Sequence, residues 1–88
     1  MSCSLVLKRK AEKFLKNATK NVVDRVGERL RQLVENPRYD ERLKPPLQEL
    51  YKTRVDPYRI AYLLKPCNVI VVEIGERENF YEKLMHSL

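Results

Sequence analysis

Three β-rich segments and two short turns between Leu50 and Ile74 constrain the fold of this chain more strongly than any other feature. The segments contain many β-branched and aromatic residues, which favour strands, and they cover residues 50–55, 58–64 and 69–74. Asp56-Pro57 separates the first two segments, and residues 65–68 separate the last two. Both connections are typical of tight turns. Consecutive strands joined in this way predict a three-stranded antiparallel meander.

Helical periodicity precedes these strands. Apolar residues recur at spacings of three and four between Ala11 and Ala18, which predicts an amphipathic helix. Thr19 can cap a second helix, and Asn36-Pro37 is expected to end it. The apolar face of this second helix comprises Val22, Val26, Leu30 and Leu33. Because so short a connection links the two helices, they should form an antiparallel hairpin.

The remaining segments complete the predicted order. Residues 4–7 are a short apolar run consistent with an edge strand, and residues 37–49 predict an irregular connection. We expect Gly75 to end the last strand and residues 76–88 to form a short helical tail. Gly27 either permits a close contact of the second helix or is simply tolerated there.

The predicted fold class is therefore α+β, with one domain over residues 1–88. An N-terminal strand and the helical hairpin precede the meander, and the hairpin should cover one face of a small twisted sheet. The opposite face of the sheet is then left for a ligand.

Charge and composition narrow the class of partner. Lys and Arg number 18 against 12 Asp and Glu, which gives a net charge of +6 and favours a polyanion such as nucleic acid or an acidic protein. Cys3 and Cys67 lie too far apart in sequence to suggest a metal clip, so a reduced, intracellular setting is the simpler interpretation. No apolar run approaches the roughly 20 residues needed to span a bilayer. We expect a cytoplasmic protein without membrane contact.

The sequence predicts neither a metal site nor a cofactor. It contains one histidine and no cluster of His, Cys, Asp and Glu at the spacing of metal ligands. Its two glycines, Gly27 and Gly75, cannot form a glycine-rich phosphate loop.

Positive charge is concentrated in the first two predicted strands. Residues 50–65 contain four cations, Lys52, Arg54, Arg59 and Lys65, and the single acid Asp56, a local excess of three charges. Strand pleating places Lys52 and Arg54 on one face, and the tight turn brings Arg59 beside them. Such a cluster is either a phosphate site or a solvated basic face.

Four stretches of this sequence resemble, in order and spacing, the RelE/ParE toxin superfamily of type II toxin–antitoxin systems. They are Asn36-Pro37, LYKTRV at 50–55, PYRIAY at 57–62 and IGERENFY at 74–81. The most specific part is the succession of a strand with alternating basic residues, a Y-R-x-x-Y strand and a terminal G-x-R…Y segment. The resemblance covers nearly the whole chain.

Within this superfamily, the RelE branch implies a RelE-like ribonuclease fold and a ribosome-dependent endoribonuclease. Such a toxin enters the vacant ribosomal A site, where it contacts mRNA and ribosomal RNA. A ribose 2′-OH attacks the adjacent phosphate without a metal ion, and the cut leaves a 2′,3′-cyclic phosphate.

Five residues carry over from the resemblance: Lys52, Arg54, Arg59, Arg77 and Tyr81. Arg59 and Arg77 suit stabilisation of the charge that gathers in the transition state, since guanidinium binds phosphate oxygens through two parallel hydrogen bonds. Arg54 suits phosphate binding, which Lys52 and Arg59 share. Crowded cations favour a neutral lysine and an ionised tyrosine, so either Lys52 or Tyr81 could remove the 2′-OH proton. Tyr81 could instead stack on a base.

Several neighbouring residues have weaker claims. His86 could be catalytic, as a C-terminal histidine is in some relatives, or merely exposed. Glu76 and Glu78 could act as acid or base, or belong to a solvated acidic tail. Tyr58 and Tyr62 alternate with Arg59 along the strand, so we expect them in the core.

The resemblance also implies a partner and two rival functions. Toxins of this superfamily are held inactive by an antitoxin, usually acidic, so we expect a RelB-like antitoxin and a heteromeric complex. The ParE branch shares the fold but inhibits DNA gyrase; Arg59 and its Y-R-x-x-Y setting recur in both branches, so only the tail discriminates them. A noncatalytic RNA-binding domain, or a degenerate toxin, is the second rival.

Overall fold

The computed structural model describes residues 4–36, 41–43, 45, 49–66, 68–76 and 80 of the 88-residue chain. Two helices lie in this part of the chain, α1 (Arg9–Asn17) and α2 (Lys20–Glu35). Five strands accompany them: β1 (Ser4–Leu7), β2 (Glu41–Arg42), β3 (Tyr51–Val55), β4 (Tyr58–Lys65) and β5 (Asn68–Glu76). The predicted α+β order of a strand, two helices and an antiparallel meander is confirmed.

The five strands form one sheet in the order β1-β5-β4-β3-β2. β1 pairs with β5 in parallel, and Ser4 lies opposite Asn68. The other neighbours are antiparallel, so β3, β4 and β5 form the predicted meander. The chain must cross from β1 at one edge to β2 at the other before it returns through the meander, and the helices make that crossing.

Two details of the strand prediction are wrong. Part of the predicted irregular connection 37–49 forms β2, in which Glu41 pairs with Lys52. A strand of two residues has no periodicity, so the sequence pattern could not reveal it. β5 also continues through Gly75 to Glu76 instead of ending at Gly75, because β4 extends far enough to pair with both residues.

The helices cover one face of the sheet. The Thr19 hydroxyl accepts a hydrogen bond from the Val22 amide at 3.5 Å and caps α2 as predicted. The main core contains buried residues from both helices and from the two central strands: Ala11, Val26, Leu30, Leu33, Ile60, Tyr62, Val69, Val71 and Ile74. Complete burial of one such leucine or isoleucine stabilises the fold by about 1.5–3 kcal/mol. This core fixes the positions of β4 and β5 under the helices.

A second core lies on the opposite face, which corrects the expectation that this face is left for a ligand. Its buried members are Leu43, Leu50, Ala61 and Phe80. Ala61 lies between Ile60 and Tyr62 of the main core, so strand alternation directs its side chain away from the helices. Phe80 packs closely against β5, where a Cβ atom added to Gly75 would lie 3.4 Å from Cδ1 of the ring. Only part of this face therefore remains open.

Gly27 does not mediate a close helix contact. A Cβ atom added at this position would have nothing within 4 Å, so the contact hypothesis is wrong and simple tolerance is the better interpretation. No helix in the described part of the chain has the length and apolar character required to cross a membrane. Of the predicted tail, only Glu76, in β5, and Phe80 are described.

Candidate functional site

The hairpin of β3 and β4 brings two of the predicted site residues together. Arg54 lies directly opposite Arg59, so both side chains point to the sheet face away from the helices. Lys52 lies opposite Ala61, one pleat further along the same face, and is half-buried. Thr53 alternates with these residues and is buried on the helix side. The predicted division of β3 into a basic face and a core face is what the structure has.

Arg59 is a buried charge. Only 7% of the residue is exposed. Because an isolated charge removed from water strongly destabilises a fold, the guanidinium of Arg59 needs a partner. Its Nη1 atom donates a hydrogen bond to Oδ1 of Asp56 at 3.3 Å, which supplies a compensating negative charge. Gly75 lies directly opposite Arg59 on β5 and contributes no side chain at that position. The burial of Arg59 limits the directions in which its guanidinium can point.

Arg54 is much more accessible than Arg59, since 61% of its side chain is exposed. Its Nε atom lies 3.9 Å from the same Oδ1 atom of Asp56. An ion pair this exposed contributes about 0–1 kcal/mol to stability. One carboxylate oxygen thus lies within 4 Å of both arginines and offsets the repulsion between like charges on adjacent strands.

Two arginines of α2 reach the same hairpin. Arg25 donates a hydrogen bond from Nη2 to the main-chain carbonyl of Asp56, and Arg29 donates from Nη1 to the Thr53 hydroxyl at 3.2 Å. Both residues lie outside the apolar face that the sequence predicts for this helix. Arg25 and Arg29 are one helical turn apart and border the apolar face of α2. This spacing is the sequence signal that could have indicated that both side chains contact the sheet.

An open groove separates α2 from the end of β3. It is lined by Asp24, Arg25, Glu28, Arg29, Gln32 and Val55. Arg31 binds Glu28 at 2.6 Å, and this hydrogen bond and the charge of Arg31 lower the pKa of the Glu28 carboxyl below its ordinary value. Glu28 therefore stays ionised and bound to its own helix.

The other predicted residues divide into two groups. Tyr62 is fully buried in the main core, as the strand alternation predicts. Tyr58 is only half-buried at the start of β4, where its ring packs edge-on against Phe14 with centroids 5.4 Å apart, so the expectation of a core position holds for Tyr62 and not for Tyr58. Glu76 is exposed at the end of β5 and not in a tail. The remaining tail positions, Arg77, Glu78, Tyr81 and His86, lie outside the described residues, as do Cys3 and Cys67. Their predicted roles stay predictions.

The β3–β4 turn is thus surrounded by guanidinium groups. Arg25, Arg54 and Arg59 all contact Asp56, and Lys52 lies on the same face as the last two. Guanidinium groups bind phosphate oxygens in a planar, two-point geometry, so this cluster can receive a phosphodiester. Among the described residues there is no group of three or more His, Cys, Asp or Glu that could hold a metal ion.

Comparison with known proteins gives one family and one fold. A family model described as the ParE toxin of the type II toxin–antitoxin system parDE matches residues 5–81, which is most of the chain. No curated protein matches the chain significantly in sequence.

Solved structures of bacterial toxins share the fold. A free double mutant of the Escherichia coli toxin RelE is 21% identical, with a TM-score of 0.78 over 99% of this chain and 94% of that chain. The RelBE2 toxin–antitoxin complex of Mycobacterium tuberculosis is 18% identical, with a TM-score of 0.78 over 88% of this chain and 93% of that one. The YoeB dimer of Staphylococcus aureus is 17% identical, with a TM-score of 0.71 over 88% and 99%. At these identities the likeness supports the architecture alone.

Proposed function

The chain belongs to the ParE toxin family of type II toxin–antitoxin systems, and on this premise we propose that it is a metal-independent endoribonuclease that cuts mRNA in the ribosomal A site. The observation that carries this proposal is the pairing of Arg54 with Arg59 on the sheet face away from the helices. Two guanidinium groups on adjacent strands form a site for one phosphodiester. Lys52 on the same face adds a further cation.

The proposed reaction is attack by a ribose 2′-OH on the adjacent phosphorus atom. The bond between O2′ and phosphorus forms as the bond from phosphorus to O5′ breaks, and the products are a 2′,3′-cyclic phosphate and a 5′-hydroxyl. Lys52 or Tyr81 takes the 2′-OH proton and later releases it to solvent, and a water molecule protonates the departing O5′, so the reaction consumes no net proton. Arg59 and Arg77 stabilise the negative charge that gathers on the phosphate oxygens.

The different exposures of the two described arginines support a division of labour. Arg54 is 61% exposed along its side chain and would meet the incoming phosphate first. Arg59 is only 9% exposed along its side chain and is already held by Asp56. A cation that is fixed before the substrate arrives stabilises a transition state without reorganisation during the reaction. We therefore assign capture of the phosphate to Arg54 and stabilisation of the transition state to Arg59.

An antitoxin is the proposed protein partner. Similar toxins were solved as complexes, among them intact E. coli RelBE and the YoeB–YefM pair of S. aureus. The net charge of +6 favours an acidic partner and fast association with it. We propose that a RelB-like antitoxin binds this chain in the cytoplasm and forms a heteromeric complex that blocks its access to RNA.

Inhibition of DNA gyrase is the second candidate, and the description of the matching family favours it, since that family is named for ParE. Arg59 fits either branch. Arg77 and Tyr81 favour the nuclease, and both lie outside the described residues. The Arg54 and Arg59 pair favours a ligand with phosphate groups over a purely protein target.

Two assays in parallel distinguish the candidates. Purified protein is added to ribosomes with mRNA in an empty A site, and the mRNA 3′ ends are mapped; the same preparation is added to a DNA gyrase supercoiling reaction. The proposal predicts A-site cuts with cyclic-phosphate ends and unchanged supercoiling. Loss of supercoiling without cleavage would assign the chain to gyrase inhibition. A folded protein inactive in both assays would support a noncatalytic domain.

A further inference from the structure

Three of the described arginines converge on Asp56. Arg25 of α2 binds its main-chain carbonyl, and Arg54 and Arg59 both approach Oδ1 of its carboxylate. The side chain of Asp56 is 73% exposed, whereas that of Arg59 is 9% exposed. The carboxylate of Asp56 is therefore accessible to solvent while it holds a buried arginine.

The contact geometry leaves Arg59 able to bind a ligand. A guanidinium has five N–H donors, and the hydrogen bond from Nη1 to Asp56 at 3.3 Å uses one of them. A single carboxylate oxygen is bound, so this is not the two-point pairing that would occupy a whole edge of the group. Contact with Asp56 alone therefore does not occupy the whole guanidinium, so Asp56 can fix the orientation of Arg59 while a phosphate binds another edge of the group.

Two features hold Asp56 in place. The pairing of Val55 with Tyr58 puts it in the turn between β3 and β4. Arg25 of α2 donates a hydrogen bond to its main-chain carbonyl. Arg25 of α2 is therefore connected to Arg54 and Arg59 through Asp56.

We propose that Asp56 is a positioning residue for the proposed RNA cleavage, whose carboxylate orients Arg54 and Arg59 toward the scissile phosphate while Arg25 fixes the turn that carries it. This inference rests on the proposed function. Asp56 does not touch the reacting atoms in this scheme.

A carboxylate beside a phosphate site could simply weaken RNA binding by repulsion, and the two roles predict different results. Asp56→Asn removes one negative charge, so either role predicts RNA binding that is as tight as in the wild type or tighter. Only a positioning role predicts slower cleavage in the bound state, because misplacement of a catalytic group by about 1 Å can cost about 100-fold.

The test separates binding from chemistry on ribosomes programmed with a defined A-site codon. Single-turnover cleavage at saturating protein gives the rate in the bound state, and mRNA with a 2′-deoxyribose at the cleavage position gives the affinity. Asp24→Asn is the matched control, because Asp24 is an exposed acid of the neighbouring groove whose loss changes the net charge equally. Asp56→Glu restores the carboxylate on a longer side chain, and Arg25→Gln releases the turn without altering the arginines on the strands.

We expect Asp56→Asn to cleave about 10- to 100-fold more slowly with undiminished affinity, and Asp56→Glu to recover part of the rate. Arg25→Gln should slow cleavage in the same direction, and Asp24→Asn should leave the rate unchanged. Thermal unfolding identifies any variant that fails to fold. If Asp56→Asn fails to fold, Arg25→Gln tests the positioning role instead, because Arg25 is exposed and its substitution should leave the fold intact.

Faster or unchanged cleavage by Asp56→Asn, or by Arg25→Gln if the first variant does not fold, would overturn the positioning role and leave the proposed function standing. Equal losses in Asp56→Asn and Asp24→Asn would also overturn it, because the effect would then be one of charge alone. Absence of cleavage by the wild-type protein would instead refute the proposed function, and the positioning role with it.

Discussion

Replacement of Arg59 should separate catalysis from binding, because this arginine is buried and its neighbour Arg54 is not. The Arg59 side chain is 9% exposed and is bound to Asp56, so its guanidinium acts from a fixed position largely shielded from water. Loss of one such donor typically lowers a rate by about 10²- to 10³-fold, which is about 2.7–4 kcal/mol of transition-state stabilisation. We predict a loss of this size for Arg59→Ala.

The matched prediction for Arg54→Ala is a defect in affinity. Its side chain is 61% exposed, so it should act mainly through one salt-sensitive phosphate contact. We expect weaker binding, a slope of log affinity against log salt that is smaller by about 0.7 for single-stranded RNA, and a cleavage rate in the bound state within a few-fold of the wild type.

The assay is single-turnover cleavage of A-site mRNA at several protein concentrations, which yields the bound-state rate and the apparent affinity from the same data. Arg31→Ala is the control for charge, because Arg31 lies on α2 and is bound to Glu28 and Glu35. Arg59→Lys retains the charge and most of the buried stem but removes the planar fork, so it should also be slow.

Cleavage by folded Arg59→Ala within about threefold of the wild type at saturation would refute the role of Arg59 in the transition state. An equal loss of activity in Arg31→Ala would also refute it, since any loss of positive charge would then suffice. Circular dichroism and thermal unfolding of each variant confirm that the fold is retained.

Three further predictions concern the tail and the two layers. Arg77→Ala should lower single-turnover cleavage by about 100-fold or more with the fold intact, and wild-type activity in this variant would remove Arg77 from the proposed site. Phe80→Ala should lower the free energy of unfolding by about 3–5 kcal/mol, because Phe80 is fully buried in the second core. This is a large part of the roughly 4–13 kcal/mol expected for a protein of 88 residues. A urea titration measures the loss, and a loss below about 1 kcal/mol would argue against that core. Gly27→Ala should raise the free energy of unfolding by up to about 1 kcal/mol, since the added methyl group meets nothing within 4 Å, and a lower denaturation midpoint would contradict that geometry.

The elements that the sequence predicts correctly are those with a local signal. The helices have apolar periodicity and a Thr19 cap, and the strands of the meander have β-branched runs and turn residues at their ends. Two features depend on partners far away in sequence. The parallel pairing of β1 with β5 joins residues more than 60 positions apart, and β2 exists only because β3 supplies its hydrogen bonds.

In the candidate site, too, only the contacts between residues close in sequence could be predicted. Arg54 lies opposite Arg59 because a two-residue connection fixes the register of the strands on either side of it. The contact of Arg25 with Asp56 could not be predicted in this way, since it depends on how α2 packs over the sheet. The second core was missed for a similar reason, because Phe80 returns to a face that strand alternation alone leaves open.

The most direct test of the central claim is cleavage of an mRNA that lacks the proposed nucleophile. Ribosomes are programmed with two mRNAs that differ only in the ribose 5′ to the scissile phosphate, which carries a 2′-OH in one and a 2′-hydrogen in the other. If the 2′-OH attacks with Arg54 and Arg59 as the phosphate site, the first mRNA is cut to a cyclic phosphate and the second binds equally well but stays intact. Cleavage of the 2′-deoxy mRNA at the same position would mean that water is the nucleophile, and would contradict the mechanism proposed for this chain.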